Sequence, residues 1–233
     1  MASKNKYTGL KKTGIILLLL LIGFTIYVII SNRNTQHMTT RQKLLKAVYP
    51  VMMWFTKTSG INSTTLSNST ISPVVSVYTL TAIGNDGTTI ALTAFRGKKI
   101  MLVNTASDCG YTEQYEALEK LYRENKDRLI ILGFPANDFK EQEKGTDDRI
   151  AFFCKSNFDI SFPIIQKSKV VKGQGQNEIF QWLTDKNKNG WNEQAPTWNF
   201  CKYLVNENGR LTHFFAPSVA PMDNEILSAI KGP

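Results

Sequence analysis

The first apolar pattern along the chain is an unbroken run, TGIILLLLLIGFTIYVII, which covers residues 13–30 without a charge. Eighteen helical residues at about 1.5 Å each reach about 27 Å, close to the ~30 Å hydrocarbon core of a membrane. The apolar region of a cleaved signal peptide is usually shorter, about 7–15 residues, and no small-x-small pattern follows this run. The pattern therefore predicts a retained transmembrane anchor, with a signal peptide as the competing interpretation.

A second, amphipathic pattern follows in residues 41–55, RQKLLKAVYPVMMWF. Leu44, Val48 and Met52 recur at helical spacing, and cationic residues supply another side. Two interpretations remain open. The segment lies in the membrane interface, or it is a short helix that packs on its own domain and is interrupted at Pro50, which has no N–H to donate.

The next stretch, residues 58–73, is uncharged, rich in Ser, Thr and Asn, and without apolar periodicity. This composition predicts a flexible linker. We therefore expect a short basic tail at 1–12, the anchor at 13–30, the amphipathic segment and linker at 31–73, and one domain at 74–233.

From residue 74 onward, short β-branched runs alternate with helical repeats. Residues 98–106 and 128–136 are near-continuous apolar runs, typical of strands buried on both faces of a sheet. The apolar residues between them recur at helical spacing, and Thr112 is the predicted N-cap of that helix. These three elements predict a β-α-β unit with parallel strands and a right-handed crossover.

Turn residues predict two hairpins, one around Asn-Asp-Gly at 85–87 and one around Asn-Gly at 208–209. Helical spacing recurs in three later segments: 147–157, 176–184 and the C-terminal DNEILSAIKG. Together these elements predict a compact α/β domain.

Positive charge is concentrated in the N-terminal part of the chain. Residues 1–57 contain nine Lys and Arg and no acidic residue, which equals the formal excess of 28 basic over 19 acidic residues. The rest of the chain is electrically balanced, which argues against nucleic-acid binding by the domain. Equal numbers of basic residues flank the anchor on its two sides, so the positive-inside rule does not decide its orientation. The short tail, with Lys11 and Lys12 beside the span, favours an extracytoplasmic domain.

The three cysteines, Cys109, Cys154 and Cys201, include no C-x-x-C pair, and the chain has two histidines. This falls short of ordinary zinc spacing, so we predict no metal and no other cofactor. Cys109 stands where a predicted strand passes to a predicted helix, and a helix N-terminus favours a reactive thiolate. The adjacent Asp108 disfavours it. From these residues alone, a reactive thiol and a buried one stay open.

Four motifs, in order along the chain, resemble those of the glutathione peroxidase family. They are VNTASDCGYTEQYEALEKLY around Cys109, LGFPANDFKEQEKG at 132–145, WNFCKYLVNENG at 198–209, and FFAPSVAP near the C-terminus. The resemblance covers residues 74–233 and does not extend to residues 1–73. It implies a thioredoxin-like fold, with a central mixed sheet flanked by helices, and a peroxidase activity.

The resemblance also implies roles for individual residues. The family's catalytic Cys, Gln, Trp and Asn fall on Cys109, Gln142, Trp198 and Asn199. The segment IAFFCKSNFDISFP resembles the one that carries the resolving cysteine in thioredoxin-dependent members, which implies that role for Cys154.

Two departures from the family pattern matter. Ala136 stands where Cys is common, so that position takes no part in redox chemistry. Asp108 stands where basic or polar residues are common, which puts the degree of thiolate activation in question. Cys201, on a predicted strand, is interpreted as a packing residue.

These observations predict a membrane-anchored thiol peroxidase that responds to oxidative stress and reduces hydrogen peroxide and organic or lipid hydroperoxides. A sulfenic acid at Cys109 and a disulfide to Cys154 are expected, with recycling by a thioredoxin-like dithiol or glutathione. The short stretch 167–191 leaves no room for a long oligomerisation loop and favours a monomer. The alternatives are a membrane-tethered peroxide sensor that passes its oxidation to a partner protein, and a binding module without peroxide chemistry.

Overall fold

The computed structural model describes residues 4–33, 35 and 37–232. Residues 1–3 of the predicted tail and Pro233 at the predicted domain end lie outside the described residues. The strands are β1 (Thr65–Ser67), β2 (Thr81–Ile83), β3 (Thr89–Ala91), β4 (Lys99–Thr105), β5 (Leu129–Pro135), β6 (Lys202–Val205) and β7 (Leu211–Phe215). The α-helices are α1 (Lys4–Ser31), α2 (Thr40–Ser59), α3 (Gln114–Glu124), α4 (Asp147–Phe158), α5 (Glu178–Leu183), α6 (Lys186–Asn189) and α7 (Asn224–Lys231).

A five-stranded sheet in the order β1-β7-β6-β4-β5 forms the centre of the domain. The predicted β-α-β unit is confirmed, because β4 and β5 pair in parallel, from Lys99 opposite Leu129 to Thr105 opposite Pro135, and α3 connects them. Every residue of both strands is buried, as their apolar runs predict. Since β6 pairs antiparallel with the other side of β4, the strand that leads to Cys109 is held along both edges.

Successive residues of β4 alternate between two cores, one on each face of the sheet. Met101 and Val103 face the first core, which holds side chains of α3, α4 and α7 and also Cys109. Ile100 and Leu102 face the second core, which holds side chains of α5 and of the β2–β3 hairpin. The sheet is therefore mixed and flanked by helices on both faces.

Both predicted hairpins are confirmed. β2 and β3 pair antiparallel across residues 84–88, where Asp86 Oδ1 accepts hydrogen bonds from the N–H and the hydroxyl of Thr88. β6 and β7 pair antiparallel around Gly209. Its φ is 79°, and a Cβ there would lie 2.7 Å from the Tyr78 ring, so this turn requires glycine.

The predicted membrane anchor lies within α1. Over the part of the chain that the structure describes, one helix is long and apolar enough to cross a membrane, at Lys12–Ser31, and none of it is buried against protein. A signal sequence near the N-terminus can pass the same test of length and composition, so both interpretations of this helix stay open. α1 begins at Lys4, so part of the predicted basic tail is helical.

The amphipathic segment forms α2, and one side of α2 packs on the domain. Ala47 is buried, and Met52 and Met53 pack against the first core. The interruption predicted at Pro50 is wrong, because α2 continues through it. Pro50 is exposed, so its ring lies on the solvent side while the turns before and after it are held against the core. The other side of α2 leaves four large apolar side chains 50–68% exposed: Leu44, Val51, Trp54 and Phe55.

The flexible linker predicted at 58–73 is wrong over part of its length. Thr65–Ser67 form β1, which pairs antiparallel with β7 at the edge of the sheet, Leu66 opposite Phe214. Just beyond it, the N–H of Asn68 donates to the carbonyl of Thr212 at 2.8 Å. An edge strand needs only its backbone to pair, so a polar segment without periodicity can form one. The folded domain therefore includes residues before position 74.

Candidate active site

Cys109 lies in the turn between β4 and α3, and the residue is 1% exposed. Its N–H donates to Thr112 Oγ1 at 3.0 Å, and the same hydroxyl donates to the carbonyl of Ala106 at 2.9 Å. Thr112 therefore braces this turn. Its predicted role as N-cap is wrong, because α3 begins at Gln114 and Glu113 takes the cap position. We call residues 107–113 the Cys109 turn.

The C-terminal FFAPSVAP motif packs behind the Cys109 turn. The Tyr111 hydroxyl lies 2.9 Å from Ser218 Oγ, and Gln114 Nε2 donates to the carbonyl of Pro217 at 2.7 Å. The buried Lys202 Nζ donates to the same carbonyl at 3.3 Å, and burial lowers the pKa of Lys202 to about 7. Two of the motifs that are far apart in sequence are thus joined by direct hydrogen bonds.

Hydrogen-bond donors from three positions surround the Cys109 thiol. The N–H of Tyr111 donates to Sγ at 3.4 Å, and the side chains of Trp198 and Asn199 lie close enough to the thiol to favour its ionised form. Burial raises the pKa of Cys109, the N–H of Tyr111 and the side chains of Trp198 and Asn199 lower it, and the charge of Asp108 adds to the rise. Burial therefore acts against the activation expected from the helix N-terminus.

Gln142 joins the site through Asn199. The Nδ2 atom of Asn199 donates to Gln142 Oε1 at 3.0 Å, and the carbonyl of Gln142 accepts from the N–H of Asp108 at 3.1 Å. The preceding Lys140 and Glu141 have φ values of 51° and 52°, a strained conformation that is often found beside functional sites. The four residues to which the resemblance assigns catalytic roles therefore lie together.

Asn104, near the end of β4, belongs to the site, although the sequence analysis assigned it no role. Its Nδ2 donates to the carbonyl of Trp198 at 2.9 Å, and its Oδ1 accepts from the N–H of Cys201 at 3.0 Å. Its carbonyl accepts from the N–H of Phe200 at 2.6 Å. These bonds fix the segment that carries Trp198 and Asn199 against the end of β4. The available signal was an amide inside an apolar run, because a buried amide requires partners.

Cys154 lies within α4, in the same core as Cys109. It is 1% exposed, and burial raises the pKa of its thiol to about 12, although the nearby Tyr115 side chain acts in the opposite direction. All three cysteines are free thiols. Cys201 is buried in the second core, 3.7 Å from Thr197 Oγ1, in agreement with a packing role.

A buried carboxyl group adjoins the Cys109 turn. Glu143 is fully buried, and its Oε1 accepts from Ser107 Oγ at 2.7 Å. Its Oε2 has no hydrogen-bond partner among the described residues. Burial raises the pKa of Glu143 to about 7, while hydrogen bonds from Ser107 and the charge of Lys167 act against this rise.

Glu143 should make the protein less stable as the pH rises from about 4.5 to about 7. In that window the folded state keeps a proton that the unfolded chain releases, so stability falls with increasing pH. Replacing Glu143 by Gln retains the size and a hydrogen bond to Ser107 but removes the titration. Denaturant unfolding at a series of pH values gives the free energy of unfolding of each protein. The difference between Glu143→Gln and wild type should increase by up to about 3 kcal/mol across this pH range, in favour of the variant. Glu141→Gln, at an exposed position, is the control. If the difference in free energy of unfolding between Glu143→Gln and wild type does not change with pH, the raised pKa of Glu143 is contradicted.

α2 lies across the Cys109 turn and contacts it at three polar points. These are the ion pair of Arg41 with Asp108, the Gln42 Nε2 bond to the Ser107 carbonyl at 2.8 Å, and the Lys46–Glu113 ion pair at 2.8 Å. A Cβ on Gly110 would lie 3.0 Å from Met52 Sδ, so α2 also touches the turn with an apolar side chain.

Cys109 lines the cavity left between α2 and the Cys109 turn, which measures about 10 Å³. That volume is enough for about one water molecule, which needs ~10–15 Å³.

Comparison with known proteins identifies the family. The family model for glutathione peroxidase matches residues 77–184. A glutathione peroxidase homolog of Staphylococcus epidermidis is 42% identical over 147 residues, which cover 63% of this chain and 92% of that protein. A glutathione peroxidase-like peroxiredoxin of Schizosaccharomyces pombe is 39% identical over 156 residues, covering 66% of this chain and 98% of that protein. The crystal structure of Trgpx in apo form matches with a TM-score of 0.52 and 30% identity, over 69% of this chain and 98% of that one.

The thioredoxin-like fold implied by the resemblance is confirmed by this structural match, and together with the site it defines a thiol peroxidase. The chain belongs to the glutathione peroxidase family. It is therefore an oxidoreductase that reduces a peroxide while a thiol is oxidised. Across the described residues, no group of three or more His, Cys, Asp and Glu is arranged to hold a metal ion.

Proposed function

We propose that the protein is a membrane-anchored, two-cysteine peroxidase that reduces hydrogen peroxide and organic or lipid hydroperoxides. Cys109 is the residue oxidised by the peroxide, and Cys154 is the resolving residue. The observation that carries the proposal is the position of Trp198 and Asn199, which hydrogen bonds with Asn104 and Gln142 hold beside the Cys109 turn. A buried cysteine that only fills space has no need of two polar side chains held beside it.

In the first step the Cys109 thiolate attacks the outer oxygen of the hydroperoxide. An S–O bond forms and the O–O bond breaks, which yields a sulfenic acid. The proton lost by the thiol ends on the departing oxygen, which leaves as an alcohol or as water. Trp198 and Asn199 donate hydrogen bonds to the thiolate and to the departing oxygen, and Gln142 holds Asn199 in place.

In the second step the Cys154 thiolate attacks the sulfur of the Cys109 sulfenic acid, an S–S bond forms and the S–O bond breaks. The departing hydroxide takes up the proton lost by the Cys154 thiol and leaves as water. With a pKa of about 12 in the packed helix, Cys154 is protonated at neutral pH. A disulfide also requires Cα atoms roughly 4.4–6.8 Å apart. We therefore infer that α4 opens locally around Cys154 in each cycle. Gly145 before α4, and the polar residues 155–157 after the cysteine, support such an opening.

A thioredoxin-like dithiol is the proposed reductant, because a dithiol reduces an intramolecular disulfide by two successive exchanges. The chain beyond residue 57 carries no basic excess that would attract the anionic glutathione. We propose that α1 retains the protein in a membrane as a monomer. The lysines before the span favour a domain on the extracytoplasmic side.

The test uses the full chain in detergent micelles, with hydrogen peroxide and either a thioredoxin system or a glutathione system. We expect sustained peroxide consumption with thioredoxin and little with glutathione. Efficient turnover with glutathione alone would overturn the proposed reductant. The oxidation of Cys109 is measured by mass spectrometry. If peroxide does not oxidise Cys109, the proposed function is overturned. A single oxidation that ends in a mixed disulfide with one protein would favour the sensor.

A further inference from the structure

α2 is an added part of the active site. The match to the family model begins at residue 77, whereas α2 ends at Ser59. The catalytic residues implied by the family resemblance all come after residue 77, but the cover over the Cys109 turn comes before it. What this cover does is therefore specific to this chain's own N-terminal segment.

The cover is close and specific. Gln42 has two roles, because its Oε1 accepts from the N–H of Thr39 at 2.8 Å within the capping box of α2 and its Nε2 donates to the Ser107 carbonyl. Lys46 and Glu113 have side chains only 19% and 12% exposed. Buried ion pairs are sensitive to small displacements, since moving one partner leaves a desolvated charge unpaired. α2 is thus held in one position relative to the Cys109 turn.

We propose that α2 is a wall of the active site that selects hydroperoxides by size, with Gln42 as a specificity-determining residue. Hydrogen peroxide, which carries no alkyl group, reaches Cys109 with the smallest displacement of α2. A bulky hydroperoxide reaches it only after the contacts of Gln42 with the Cys109 turn are broken. The inference rests on the proposed role of Cys109 as the residue oxidised by peroxide.

The volume beside Cys109 supports selection by size. A cavity of about 10 Å³ has no room for a branched or aromatic group, which occupies many times the volume of one water. Polar contacts of the kind made by Gln42 are individually worth about 0.5–1.5 kcal/mol, so α2 can be displaced, but at a cost that a small peroxide avoids. The barrier therefore differs between substrates.

Gln42→Glu is the sharpest variant, because Glu serves as well as Gln in a capping box. It keeps the acceptor for the N–H of Thr39, but it removes the donor to the Ser107 carbonyl and sets a negative charge against that oxygen. Lys57→Ala is the matched control. Lys57 pairs with Asp223 at the other end of α2, and both variants lower the net charge by one.

The first measurement is the single-turnover rate of Cys109 oxidation by hydrogen peroxide and by cumene hydroperoxide, with the full chain in micelles. We expect Gln42→Glu to raise the cumene-to-hydrogen peroxide rate ratio by about tenfold, the equivalent of one lost hydrogen bond. Lys57→Ala should keep the wild-type ratio. Equal ratios in wild type and Gln42→Glu would overturn the inference, as would an equal rise in Lys57→Ala.

The second measurement needs no peroxidase activity. The alkylation rate of Cys109 is compared for iodoacetamide and for a bulky, uncharged maleimide, with the modified peptide quantified by mass spectrometry. Both reagents react with the thiolate, so a change in the pKa of Cys109 alters both alkylation rates alike and largely cancels in their ratio. The charged groups around the Cys109 turn that could cause such a change are Arg41, Lys46, Asp108, Glu113 and Glu143. Gln42→Glu should again favour the bulky reagent. If no hydroperoxide oxidises Cys109, the proposed function fails, while an unchanged alkylation ratio overturns the size-selecting wall alone.

Discussion

Replacing Cys109 by serine should abolish peroxide reduction and leave the fold intact. The hydroxyl is similar in size to the thiol and still accepts the hydrogen bond from the N–H of Tyr111, but a serine has no sulfenic acid state. We expect turnover of hydrogen peroxide to fall by more than about a thousandfold, as is usual when a nucleophile is removed. Circular dichroism and thermal unfolding of the purified chain should remain near the wild-type values.

Cys201→Ser is the control, because it makes the same chemical change at a cysteine buried in the other core. Placing a hydroxyl in an apolar site should lower the free energy of unfolding by about 1–3 kcal/mol and leave peroxide reduction intact. Near-normal activity in Cys109→Ser would remove Cys109 from the chemistry. Complete loss of activity in folded Cys201→Ser would show that the resolving role is assigned to the wrong cysteine.

Replacing Cys154 by serine should permit the first oxidation and block the second step. After one equivalent of peroxide, the variant should accumulate a sulfenic acid at Cys109, which dimedone traps, while wild type forms a disulfide between residues 109 and 154. Steady turnover with a thioredoxin-like reductant should fall to the background of direct reduction. The two products differ in mass after tryptic digestion, so mass spectrometry distinguishes them.

The product formed in wild type tests the two-cysteine mechanism most directly. Both thiols are buried and free in the structure, so we expect the proposed disulfide to form only when α4 opens locally. Hydrogen exchange of the amides in α4 should therefore increase after oxidation by peroxide and remain unchanged in Cys154→Ser. If only sulfenic acid or glutathione adducts are found on wild-type Cys109, the two-cysteine mechanism fails and a one-cysteine mechanism is favoured.

The parts of the fold that follow from local patterns could be predicted from the sequence. The apolar runs of β4 and β5 are buried along their whole length, and the Asn-Gly pair at 208–209 marks a turn because Gly209 adopts a positive φ. The position of Cys109 between a strand and a helix follows from the same patterns. Such features depend on neighbours a few residues apart, which a sequence displays directly.

Features that depend on distant partners could not be predicted in this way. Gln42 and Ser107 are 65 residues apart, and neither carries a signal for the other. β1 is a polar edge strand whose pairing uses only backbone groups. Thr112 has the chemistry of an N-cap, but its hydroxyl bonds instead with the N–H of Cys109 and the carbonyl of Ala106. Burial of Cys109 also raises its pKa, against the expectation from a helix N-terminus.

The strand β1 has a consequence for how Cys109 becomes accessible. α2 ends at Ser59 and β1 begins at Thr65, so the helix is joined by a short connection to a strand that is part of the sheet. A short flexible connection holds its two ends at an effective concentration on the order of millimolar. Exposure and re-covering of the thiol are then first-order processes within one molecule, so the labelling rate of Cys109 should not depend on protein concentration. A peptide with the sequence of α2, added at micromolar concentration, would compete poorly with the helix that is already attached.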